Sequence, residues 1–150
     1  MSALDLVKKI RAGGGTIVFT NGVYDLLHPG HIRYLTRARA LGDALIVGLN
    51  SDRSVRANKG PGRPITPEAE RRELLEALTC VDAVEIFDED TPHAIISAIQ
   101  PDILVKGSDW AEDAIVGRDI VEARGGRVVR MPIESGYSTT SMVERAKQLG

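Results

Sequence analysis

Apolar positions in this chain recur in two alternating rhythms. Leu4, Val7 and Ile10 stand at helical spacing, so residues 3–11 read as a short helix, which Gly13, Gly14 and Gly15 break. Thr16 to Thr20 (TIVFT) is a short β-rich run, the pattern of a buried strand. Ile32, Leu35, Ala38 and Leu41 share one face of a helix over residues 30–41, and Ala44 to Leu49 (ALIVGL) is a second buried strand. Gly and Pro punctuate residues 56–66 (RANKGPGRPIT), with basic residues among them, which predicts a long loop. Thr66 before Pro67 predicts an N-cap with proline at the first helical position, and that helix runs to about Leu78. Ala83 to Phe87 reads as a third strand. Thr91 before Pro92 opens a helix to about Ile99, and Ile103 to Lys106 and Arg127 to Met131 are strands four and five. Ser138 to Gln148 reads as a closing helix.

Strands that alternate with helices predict a parallel sheet with right-handed crossovers. The expected fold is therefore α/β: a Rossmann-like, doubly wound, five-stranded parallel sheet in a single domain over residues 1–150, with 1–14 as an N-terminal helix and Gly-rich lead-in. Composition agrees, since 43% hydrophobic and 27% charged residues suit a globular fold and exclude disorder. A net charge of −2 does not suit a protein that coats nucleic acid. No apolar run reaches the roughly 20 residues of a membrane span. Asp5, Lys8 and Lys9 interrupt any signal-peptide pattern, so a cytoplasmic protein is expected. The one cysteine, Cys80, sits in an apolar stretch and reads as core.

In such sheets the ligand lies beyond the carboxyl ends of the strands, so the residues after each strand matter most. The first strand runs into Thr20-Asn21-Gly22-Val23-Tyr24-Asp25-Leu26-Leu27-His28-Pro29-Gly30-His31. His28 and His31 are three apart at a helix start, so both rings can face one side. The bare N–H groups there form an anion site, and Gly30 lets a phosphate approach the backbone. Two imidazoles, free amides and a glycine suit a polyphosphate. A surface or capping role for the histidines, or zinc held with Asp25, are the competing readings; HxxH alone is short of zinc ligands. No GxGxxG follows a strand and no GxxxxGK[ST] occurs, which excludes the dinucleotide fingerprint and the P-loop.

Three further segments carry candidate chemistry. Gly136-Tyr137-Ser138-Thr139-Thr140 places hydroxyls at a helix start, for phosphate or for capping, and Ser141 with Glu144 fits a capping box. Lys106-Gly107-Ser108-Asp109-Trp110 follows strand four, where a Lys, an Asp and an aromatic face suit a charged, hydroxyl-rich ligand or an ordinary turn. Lys59 and Arg63 in the loop, with Arg71 on the next helix, either close over phosphates or are solvated charge.

The stretch Gly22-Val23-Tyr24-Asp25-Leu26-Leu27-His28-Pro29-Gly30-His31 resembles the HxGH signature of the cytidylyltransferase-like nucleotidyltransferases, and Ser138-Thr139-Thr140 resembles their second phosphate motif. The resemblance covers about residues 15–147. Within the family, TNGVYDLLHPGH, GLNSD, KGPGRPITPEAER, DEDTP, PDILVKGSDW and ESGYSTT are most similar to the heptose 1-phosphate adenylyltransferases, often the second domain of a heptose kinase fusion. Glycerol-phosphate cytidylyltransferases share several motifs, but carry an Arg where this chain has Ile133 and an apolar residue at Lys106. The resemblance implies transfer of AMP from ATP to a sugar 1-phosphate, with Mg²⁺ on the triphosphate and no metal held by protein ligands alone. Its alternatives are cytidylyl transfer to glycerol 3-phosphate or a related polyol phosphate, and a non-catalytic nucleotide-binding module.

It implies His28, His31, Lys59 and Arg71 as catalytic. Thr20, Asn21, Gly22, Gly30, Arg63, Gly136, Ser138, Thr139 and Thr140 join the two histidines around the nucleotide, and Asp25, Asn50, Lys106, Asp109 and Trp110 stand on the sugar-phosphate side. Expected partners are the two small-molecule substrates, ATP and a sugar 1-phosphate, and a separate sugar kinase upstream, with no nucleic acid and no membrane. A homodimer is left open.

Overall fold

The computed structural model describes residues 2–133 and 136–150. Its elements, in chain order, are α1 (Ala3–Ala12), β1 (Ile17–Gly22), α2 (Pro29–Arg39), β2 (Ala44–Asn50), α3 (Asp52–Lys59), α4 (Glu68–Glu76), β3 (Ala83–Phe87), α5 (His93–Ile99), β4 (Ile103–Gly107), α6 (Arg118–Ala123), β5 (Arg127–Met131) and α7 (Thr139–Leu149). All five strands pair in parallel in one sheet, in the order β3-β2-β1-β4-β5. The chain builds outward from β1 to β3, then crosses back and builds β4 and β5 on the other side. The direction reverses between β1 and β4, which leaves a crevice at their carboxyl ends.

Alternation along the strands makes two cores, one on each face. Val18, Leu45, Val47 and Leu49 pack with Leu35 and Ala38 of α2 and Leu75 of α4. Ile17, Phe19, Ile46 and Leu104 pack with Val7 of α1, Ile95, Ile96 and Ile99 of α5 and Val121 of α6. Helices therefore cover both faces, the doubly wound α/β arrangement of a single domain. At the opposite end of the sheet, Asp43, Asp102 and Asp82 accept the N–H groups of Thr16 (2.6 Å), Ile17 (2.8 Å) and Leu45 (2.7 Å), so the first donors of β1 and β2 are not left bare.

Four local expectations need correction. The predicted loop 56–66 begins as helix, over residues 56–59: α3 runs to Lys59 because Ser51 caps it by accepting the N–H of Ser54 and Val55 gives it a buried anchor. Thr66 does not cap α4, and Pro67 is itself the cap residue. The backbone of Thr66 is instead committed elsewhere: Asp25 accepts its N–H and its carbonyl accepts from Arg71. Pro92 likewise precedes α5 rather than opening it. The Ser141–Glu144 capping box is replaced by Ser138, whose Oγ accepts the N–H of Ser141 at 2.9 Å. The six-residue α6 has too few turns to show a period in sequence and was not predicted.

Candidate active site

A cavity of about 440 Å³ opens in the crevice beyond β1 and β4. Its floor is the start of α2. His28 is the N-cap residue there, with extended backbone, and Pro29 takes the first helical position. The Nδ1 of His28 accepts the N–H of His31, and the Nδ1 of His31 accepts the N–H of His28, each at 3.3 Å. This is a capping box made by two imidazoles instead of a hydroxyl and a carboxylate. The rings are stacked, 3.8 Å apart and 19° from parallel.

With both Nδ1 lone pairs engaged, each neutral ring carries its proton on Nε2, so each presents an N–H donor on its other side. Burial and the neighbouring His28 lower the His31 pKa to about 4, and burial also lowers that of His28. Both are neutral donors at pH 7. The capping and phosphate-binding readings are thus compatible, because one nitrogen of each ring serves each role.

The preceding turn supports this floor. Tyr24 has φ +48°, a left-handed conformation that is costly for a tyrosine, and its ring meets His31 edge-on at 5.3 Å. A Cβ on Gly22 would stand 2.9 Å from the Tyr24 ring, so only glycine admits it. A Cβ on Gly30 would lie 2.9 Å from both the His28 ring and Cβ of Tyr137. Glycine at 30 is what lets the start of α2 meet the turn before α7.

That turn forms the facing wall. Gly136 has φ +88°, Ser138 caps α7, and the Thr139 hydroxyl donates to the Leu26 carbonyl at 3.4 Å, tying the two helix starts together. Tyr137, Ser138, Thr139 and Thr140 line the cavity. Glu134 and Ser135 of the ESGYSTT segment lie outside the described residues.

Lys59 and Arg63 also line the cavity, and residues 60–66 form a strap beside it. Asp25 anchors the strap: its carboxylate accepts the N–H groups of Ile65 (3.0 and 2.9 Å) and Thr66 (2.9 Å), with the Arg63 guanidinium at 3.9 Å. Asp25 is buried yet lines the cavity, with its carboxylate turned to the strap backbone.

The expectation of a catalytic Arg71 needs correction. It is 0% exposed and donates to the carbonyls of Thr66, Val23 and Asn50 (each 2.8 Å) and to Asp52 (2.7 Å). Four of its five N–H donors are spent on these partners and the side chain is fully buried outside the cavity lining, so Arg71 braces the strap against the β1 and β2 ends. Asn50, which bonds Ser54 and Arg71, lies outside the cavity. Thr20 is also outside it, buried between β1 and β4 with its hydroxyl donating to the Val105 carbonyl at 2.9 Å.

The last wall comes from β4. Lys106, Gly107, Asp109 and Trp110 line it, and the Lys106 ammonium stands 5.0 Å from the centre of the Trp110 ring. Burial lowers the Lys106 pKa, while Asp109 acts in the opposite direction. Arg130 of β5 fixes the turn by donating to the carbonyls of Ser108 (2.8 Å) and Trp110 (2.9 Å). Sequence reasoning missed Arg130, Tyr34 and Arg37, and gave Tyr137 no role of its own within the Gly136–Thr140 segment. Tyr34 and Arg37 stand three and six residues after His31, on the same helix face, so the period that found the core could have found them.

The sequence pattern of the cytidylyltransferase-like family matches residues 19–145, from β1 into α7. The chain belongs to that family. Among curated proteins it is 52% identical over 144 residues to the bifunctional protein HldE of Syntrophotalea carbinolica, covering 96% of this chain and 29% of that protein. It is 55% identical over 141 residues to the HldE of Hyphomonas neptunium, covering 94% and 29%. The chain thus spans under a third of the length of these relatives. Among solved structures it resembles a lipopolysaccharide core biosynthesis protein from Thermoplasma volcanium, with TM-score 0.68 and 31% identity over 83% of this chain and 100% of that one. Among the described residues, no helix is long and apolar enough to cross a membrane.

Proposed function

We propose that this chain is an adenylyltransferase that transfers AMP from ATP to a sugar 1-phosphate, heptose 1-phosphate first among them, releasing pyrophosphate and forming ADP-heptose. The observation that carries the reading is the His28–His31 pair, two neutral Nε2–H donors in one cavity with Lys59, Arg63 and the Ser138–Thr140 turn. The HldE relatives and the lipopolysaccharide core biosynthesis protein support the sugar-nucleotide product. The cytoplasm, where ATP is available, is the proposed location, and a sugar kinase reaction supplies the 1-phosphate.

The acceptor phosphate attacks the α-phosphorus in line, the bond to the bridging oxygen breaks, and pyrophosphate leaves with that electron pair. The nucleophile is already an anion, so no strong base is required; positioning and charge stabilisation remain. The Nε2–H groups of His28 and His31 donate to the transferring phosphate as charge grows toward the β-phosphate. Lys59 and Arg63 add positive charge, and the α7 turn holds the outer phosphates with Ser138, Thr139 and Thr140. Lys106 meets the acceptor phosphate and offsets its repulsion from the triphosphate.

The donors in the cavity are imidazole N–H, ammonium, guanidinium and hydroxyl groups, a set for phosphate oxygens rather than for a metal. Among the described residues no cluster of three metal-binding side chains occurs. Mg²⁺ fits as part of the substrate, MgATP, where it neutralises triphosphate charge and needs few protein ligands.

The test is product identification after incubation with MgATP and heptose 1-phosphate. ADP-heptose and pyrophosphate in equal amounts are expected. ATP binding with neither product would favour the non-catalytic module.

A further inference from the structure

The hydrogen-bond chain behind the cavity wall gives Tyr34 a polarity. The Thr20 hydroxyl lies 2.9 Å from the Tyr34 hydroxyl and 2.9 Å from the Val105 carbonyl. A carbonyl can only accept, so the single Thr20 proton is directed to Val105. Thr20 Oγ1 is then the acceptor in its bond with Tyr34, and the Tyr34 proton points back into the protein. The phenol oxygen, on the cavity wall, has only lone pairs to offer a ligand.

We infer that Tyr34 is a specificity-determining residue that accepts a hydrogen bond from a hydroxyl of the phosphorylated acceptor and rejects groups that can only accept. The inference rests on the reading of the cavity as a site of nucleotidyl transfer, and it names the acceptor class, a hydroxyl-rich phosphate.

Its neighbours on this wall fit that division. Asp109, whose charge raises the Tyr34 pKa, is a second acceptor, and Lys106 is the donor for the anionic end. Burial together with Asp109 pushes Tyr34 up to about 12, so the phenol keeps its proton across the working pH range. The Trp110 side chain, 47% exposed beside Lys106, offers an apolar face to a sugar ring. A phosphate oxygen has no hydrogen to give Tyr34 or Asp109, so the wall sorts the acceptor: phosphate to Lys106, hydroxyls to Tyr34 and Asp109.

The experiment is calorimetric binding of heptose 1-phosphate, and of its single deoxy and deoxyfluoro analogues, to the protein saturated with Mg²⁺ and a non-hydrolysable ATP analogue. Tyr34→Phe should weaken heptose 1-phosphate about tenfold and leave binding of the ATP analogue within twofold. One deoxy analogue should bind Tyr34→Phe as well as the parent sugar does, while losing about tenfold on the wild type. Its fluoro counterpart, a pure acceptor, should bind the wild type more weakly still.

Thr20→Val removes the acceptor that orients the Tyr34 proton, so the phenol can turn and donate into the cavity. In that variant the penalty on the fluoro analogue should shrink, a ratio that a general loss of stability does not move. Equal losses for every analogue on wild type and Tyr34→Phe, or an effect confined to the ATP analogue, would overturn the inference. Acceptor binding that follows the expected pattern without turnover would fail the adenylyltransferase reading alone. No binding of any of these sugars would overturn both.

Discussion

Each of the two histidines does two jobs through its two nitrogens. Nδ1 closes the helix start, and Nε2–H faces the cavity. His28→Ala and His31→Ala should each lower kcat by two or more orders of magnitude, since donors to developing charge are worth about 3–4 kcal/mol. Steady-state rates check this, and near wild-type turnover would remove the residue from catalysis.

The same rings should show in stability. The folded pKa of His31 is about 4 against an ordinary 6.5, so between these values the unfolded chain binds a proton that the folded chain refuses. Stability should be fully retained above pH 6.5 and fall as the pH drops toward 4, and His31→Gln should flatten that slope in a series of Tm measurements. An unchanged slope would show that the ring is not held neutral. At Lys106, Lys106→Met should raise KM for the sugar phosphate at least tenfold, about 1.4 kcal/mol, while KM for ATP stays put. An unchanged sugar-phosphate KM would make Lys106 an ordinary wall residue.

At the scale of elements, the strap of residues 60–66 depends on a fully buried cation. Arg71→Met leaves three carbonyls without their donor and breaks the pair with Asp52, which should cost about 3 kcal/mol in denaturant unfolding. It should also loosen Lys59 and Arg63, raising KM for ATP and speeding tryptic cleavage after Lys59. Less than about 1 kcal/mol with unchanged cleavage would contradict the brace.

This residue also shows the limit of reading elements from pattern. A positive charge in a basic stretch gives no sign that it is buried, because burial depends on which carbonyls the β1 and β2 ends bring together. The five strands were legible because each is a short apolar run whose neighbours alternate between the two cores. The short α3 and α6 were not, since a helix of two turns is fixed by a cap and one or two buried contacts rather than by a visible period.

Over the whole molecule, the position of the cavity was legible because topology alone places it at the reversal between β1 and β4. The histidine pair and the hydroxyl turn were legible from their place after a strand and before a helix. The proposed division of the cavity into a triphosphate side and an acceptor side was only partly so. Asn50 and Thr20 stand in the right segments, but they lie outside the cavity with side chains bonded within the protein.

One measurement tests the central claim most directly: kcat/KM for pyrophosphate release across ATP, CTP and GTP, each paired with heptose 1-phosphate and with glycerol 3-phosphate. Ile133 is exposed on the cavity wall, at the position where the resemblance implies an Arg in the glycerol-phosphate cytidylyltransferases, and this difference argues for the adenine nucleotide. A pocket shaped for one base discriminates strongly against another when polar groups are left unpaired. The predicted result is a maximum at ATP with heptose 1-phosphate, with the other pairings well below it. A higher kcat/KM for CTP, or for glycerol 3-phosphate as acceptor, would contradict the account.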